Sequence, residues 1–115
     1  MRHAAVATAV SALLVTACGG AGRHPVDALR ACVAERVPAS AVAHVVTSTE
    51  GGVTTLIYSS PRGEQTTVSV FRSAGDASAA LEAEARIGDA HDRRAGNVLY
   101  DGGGAVAAAV ARCAG

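Results

Sequence analysis

The amino-acid sequence predicts an α+β fold: a two-layer sandwich in which a four-stranded, mainly antiparallel sheet carries helices mainly on one face. Three observations predict it. Apolar residues recur at three- and four-residue steps near both ends of the chain, short β-branched runs separated by turn residues fill the middle, and a cysteine falls on the apolar stripe of each terminal helix. The predicted element order is α-β-β-β-α-β-α.

The first helix is predicted over about 25–37. Val26, Leu29, Val33 and Val37 form its apolar stripe, and Cys32 lies beside Val33 on the same side. Pro25 suits a helix start, where its missing N–H has no partner to lose, and Pro38 discourages continuation. Residues 41–48, 53–59 and 66–72 then read as three strands of an antiparallel meander. Glu50-Gly51-Gly52 supplies the positive φ angles of a hairpin turn, and Pro61-Arg62-Gly63 offers a fixed φ followed by a flexible residue.

Alternation within these runs sets Val53, Thr55 and Ile57 against Thr54, Leu56 and Tyr58, so one face is rich in Thr and Ser and at least partly wet. Ser73, with Asp76 three residues on, opens a second helix whose stripe is Ala77, Leu81 and Ala85, up to Gly88. Residues 97–101 (NVLYD) make the fourth strand. Its place in the sheet is open, and a right-handed crossover is expected if it runs parallel to the third. Gly102-Gly103-Gly104 then turns the chain into an Ala-rich helix, with Val106, Val110 and Cys113 at i, i+4 and i+7 on one face.

Composition bounds the rest. The chain of 115 residues has room for one small domain, and its only aromatic residues are Tyr58, Phe71 and Tyr100, so the core is built from smaller side chains. The cations number ten, all arginine, against ten carboxylates, and loss of residues 1–17 removes Arg2 and leaves a net charge of −1. That balance is no footprint for nucleic acid.

Met1-Arg2-His3 followed by an uncharged run of small and apolar residues, Ala4 to Ala17, has the pattern of an export signal. A spanning helix needs about 20 such residues, and this run has fourteen. Val15-Thr16-Ala17-Cys18 resembles the lipobox of bacterial lipoproteins. The resemblance implies that diacylglycerol alkylates the Cys18 thiol, that the signal is cut just before it, and that at least two acyl chains, palmitate among them, hold the protein on a membrane outside the cytoplasm. An ordinary secretory cleavage near Ala17 is the plainer alternative. The expected organisation is a signal peptide at 1–17, a lipidated cysteine and flexible tether at 18–24, and one α+β domain at 25–115.

With Cys18 assigned to lipid, Cys32 and Cys113 remain as an even pair in an oxidising compartment, and a disulfide is expected between them. Both also lie on apolar stripes. The C-x-x-C spacing of a redox pair is absent.

Candidate chemistry is sparse. Asp89, His91 and Asp92 gather two carboxylates and an imidazole in one loop, a weak metal or acid/base candidate that Arg93 and Arg94 neutralise. His44, within a predicted strand, reads as a partly buried, hydrogen-bonded histidine more readily than as a base, since no nucleophile stands beside it. Ser59-Ser60 reads as turn chemistry, and His24 as part of the tether. Asp101-Gly102-Gly103-Gly104 before a helix is a candidate anion cradle, but it lacks the phosphate-loop pattern and reads as a turn. No cofactor is implied. The leading expectation is a membrane-tethered binding or interaction module at the bacterial cell envelope, engaging an envelope protein or a small ligand that the sequence does not identify. The alternatives are a metal-dependent or hydrolytic enzyme using the Asp89/His91/Asp92 loop, and a carrier with a small-ligand or lipid cleft between helices and sheet.

Overall fold

A computed structural model of the chain describes residues 24–88 and 91–115; the signal segment and Cys18 lie outside the described residues. Helix α1 (Val26–Arg36) and a short 3-10 turn (Ala39–Ala41) precede strands β1 (His44–Glu50), β2 (Val53–Ser59) and β3 (Gln65–Val70). Helix α2 (Ala74–Arg86), strands β4 (Arg93–Ala95) and β5 (Val98–Asp101) and helix α3 (Gly104–Ala114) complete the chain.

The α+β class stands, but the sheet has five strands, ordered β1-β2-β3-β5-β4, with every neighbouring pair antiparallel. The expected four-stranded sheet and α-β-β-β-α-β-α order are therefore corrected: α2 is followed by a hairpin. The additional strand, Arg93–Ala95, is three residues long and basic, so it has neither the β-branched content nor the length that marks a strand locally. Pairing with β5 makes it a strand. Because β5 runs antiparallel to β3, the chain passes through α2 and β4 and returns without a parallel crossover.

Two of the turns follow directly from glycine. Glu50 pairs with Val53 across a loop of Gly51 and Gly52, whose φ angles of 59° and 78° are the pair that a type I′ hairpin requires. Ala95 pairs with Val98 across Gly96-Asn97, with Gly96 at φ 59°. The β2–β3 connection is longer and is held by Ser60, whose Oγ accepts from the backbone N–H groups of Arg62 (3.2 Å) and Glu64 (3.1 Å). The α2 cap expected from Ser73 is formed, its Oγ accepting from the Asp76 N–H at 3.0 Å.

Strand alternation divides the buried residues between two faces. Leu56, Tyr58, Val68, Val70, Val98 and Tyr100 share one face and form a single core with Leu29 and Val33 of α1 and Val106 and Val110 of α3. Leu99 has the opposite parity and is 2 % exposed; it is buried with Ala77 of α2, which contacts β4 and β5. The helices thus lie two on one face and one on the other. Over β1 and β2 that second face stays open, with Val46 52 % exposed and its partner Ile57 half-buried. The terminal helices are joined by a disulfide between Cys32 and Cys113, with Cα atoms 5.9 Å apart.

Candidate functional site

Of the residues singled out in the sequence, the two cysteines are brought together and the polar candidates are not. Asp89 lies outside the described residues; His91 is exposed and Asp92 half-buried on the approach to β4. Among the described residues no group of three or more His, Cys, Asp or Glu side chains is gathered. Arg93 and Arg94 belong to β4 rather than to a solvated loop. The Arg93 guanidinium stacks 4.7 Å from the centroid of the Tyr100 ring and donates to the Gly102 carbonyl, and Arg94 donates to the Gly96 carbonyl at 2.9 Å.

His44 is exposed rather than partly buried, because it begins edge strand β1 and points to the side that no helix covers there. His24 is docked. Its backbone N–H donates to Asn97 Oδ1 at 2.8 Å, while Asn97 Nδ2 donates to the carbonyls of Phe71 (2.7 Å) and His24 (3.3 Å). Asn97 is only 2 % exposed, so the β4–β5 turn, the end of β3 and the entry to α1 are tied by one buried amide.

Two cavities lie around Tyr58, on the face that carries α1 and α3. A cavity of about 390 Å³ opens where the β2–β3 loop meets the start of α3. Tyr58, Ser59 and Thr66 line it from the sheet, Arg62 and Glu64 from the loop, and the backbone of Gly103 and Gly104 from the helix start. The helix start has no side-chain cap to meet its first N–H groups, and it lines this space from Gly103 to Val106. The chain can approach so closely because Gly102 holds φ at +114°; a Cβ there would sit 2.9 Å from Thr66 Oγ1 and 3.1 Å from the Gln65 carbonyl.

A second cavity of about 370 Å³ runs between α1, the 3-10 turn and β1, walled by Val37, Pro38, Val42 and Val45, with Arg30 and Tyr58 as its polar members. Tyr58 lines both cavities. Its burial pushes the phenol above the usual tyrosine value, against the smaller opposing pull of the Arg30 charge.

Tyr58 and Thr66 were not legible as site residues. Alternation places Tyr58 on the inward face, and a phenol there needs either a partner or an opening; that is the available local signal. Thr66 gives none, since threonine is ordinary in strands. No helix among the described residues is long and apolar enough to cross a membrane. No family model matches the sequence, and no curated protein or solved structure is detectably similar to it.

Proposed function

We propose that this chain is a membrane-tethered lipoprotein of the bacterial envelope, held through Cys18, whose domain acts as a binding module. The observation that carries the reading is the Cys32–Cys113 disulfide. A bridge between helices at opposite ends of the domain belongs to an oxidising compartment, and it leaves Cys18, at the end of the apolar signal run, as the third of the three cysteines in the sequence. Two acyl chains at that position anchor firmly, because each buried methylene contributes about 0.8 kcal/mol.

The test is metabolic labelling with an alkyne-bearing fatty acid, read with intact mass. The expected outcome is a diacylglyceryl mass on Cys18 and label in the membrane fraction, both abolished by Cys18→Ala, with the variant released from the membrane. Wild-type protein that carries no lipid overturns the anchor.

A second reading, a small-ligand carrier, is favoured by the pair of cavities that meet at Tyr58. Each falls within the range of about 300–1,000 Å³ typical of small-molecule sites.

A further inference from the structure

We propose that the two cavities are one site for a long-chain carboxylate, with its head at the start of α3 and its hydrocarbon chain in the groove beside α1. The assignment gives a ligand to the binding module proposed above and rests on that reading. Tyr58 sets them side by side: it is a wall of both spaces, and the 3-10 turn borders both as well, through Ala41 in the first and Ala39 in the second.

The two ends differ in the chemistry they present. At the first, the N–H groups opening α3 have no side-chain cap, and Gly103 and Gly104 carry no Cβ to screen them. Thr66 is the independent observation. It lines the cavity and is only 6 % exposed, and no hydrogen bond of its hydroxyl is found among the described residues. The buried side-chain atom without a partner there is His24 Nδ1, so the Thr66 oxygen opens to the cavity, where a ligand can accept its proton. Arg62 adds a full positive charge at the rim, and Glu64, exposed on the same rim, partly offsets it. With the two rim charges offsetting each other, the head is held by neutral donors, the helix-start N–H groups and the Thr66 hydroxyl, which suit a singly charged carboxylate better than a dianionic phosphate.

At the other end, Val37, Val42 and Val45 with Pro38 offer hydrocarbon, and Arg30, an exposed residue, stands at the edge. A ligand with one charged end and one apolar end is complementary to both. A purely polar ligand leaves the valine groove unused, and a purely apolar one leaves Thr66 and the helix start unpaired.

The experiment uses the full chain carrying Cys18→Ser, so that no attached lipid competes, purified without detergent and with the disulfide intact. Parinarate fluorescence reports occupancy, with oleate, oleyl alcohol, acetate and inorganic phosphate as competitors. Oleate is expected to displace parinarate at micromolar concentration, and oleyl alcohol to be weaker by about tenfold. Acetate and phosphate are expected not to compete in that range. Thr66→Val, which keeps the volume and removes the hydroxyl, and Val45→Glu, which puts a negative charge in the groove, are each expected to weaken parinarate by about tenfold or more. Thermal melts check that both variants fold.

Three results overturn the proposal: no saturable parinarate binding, phosphate or acetate competing as well as oleate, or an affinity unchanged in two folded variants. The underlying reading fails separately. A chain that binds no parinarate but carries lipid on Cys18 loses only this site, and a wild-type chain without lipid loses the anchor whatever parinarate does.

Discussion

Tyr58 is the residue on which the packing of the sheet and the shape of the cavities meet. It belongs to the single core that holds Leu56, Val106 and Val110, and it shares the second cavity with Arg30, whose charge acts on its phenol. Burial without a strong partner disfavours the phenolate, so the folded-state pKa lies above the reference value of 10.0. The consequence for stability has a definite sign. Below pH 10 both states keep the proton and the group gives no slope. Above it the unfolded chain loses its proton first while the native chain retains it, so stability falls as pH rises toward the folded pKa. The melting temperature of the wild type is expected to drop more steeply between pH 9 and 11 than that of Tyr58→Phe, which lacks the group. Parallel curves would place the phenol in solvent.

Among the elements, the β4–β5 hairpin shows what local sequence misses. Val98 to Asp101 is apolar and β-branched enough to read as a strand, and it is one. Arg93–Ala95 is not, and it pairs because Gly96-Asn97 reverses the chain beside a strand that already has β3 on its other side. The Gly-Asn dipeptide was the signal available, since glycine followed by asparagine is a hairpin pattern. Asn97 then does more than turn the chain. Removing its amide strips a partner from the His24 N–H and from the Phe71 carbonyl. At about 1–3 kcal/mol for each buried group left unsatisfied, Asn97→Ala is expected to lose roughly 2–6 kcal/mol in urea unfolding. Asn97→Asp keeps the acceptor for the His24 N–H but sets a carboxylate oxygen against the Phe71 and His24 carbonyls in a buried place, so it is expected to lose at least as much as Asn97→Ala. Hydrogen exchange at the His24 amide separates the two: faster in Asn97→Ala, near wild type in Asn97→Asp. Helices α1 and α3 were legible from their stripes, and the residues on them, Leu29, Val33, Val106 and Val110, are buried as the spacing requires.

At the scale of the molecule, one covalent bond ties the two ends of the described domain. The Cys32–Cys113 bridge closes a loop of 81 residues, and the chain-entropy model assigns such a loop roughly 4–5 kcal/mol. Cys32→Ser and Cys113→Ser are therefore each expected to lower the melting temperature by about 15 °C or more, and the double variant by little beyond either single one, because the second cysteine removes nothing further. Unchanged melting in both would leave the bridge without structural weight. The sequence by itself determined the helical stripes, the meander with its Gly51-Gly52 turn, and that Cys32 and Cys113 each stand on an apolar stripe, because each of these is written in spacings of a few residues. Only the tertiary structure decided the fifth strand, the helix on the opposite face, the docking of His24 by Asn97, and the two cavities that share Tyr58. Those depend on residues far apart in the chain arriving at one place, and periodicity along a single segment carries no information about its distant neighbours.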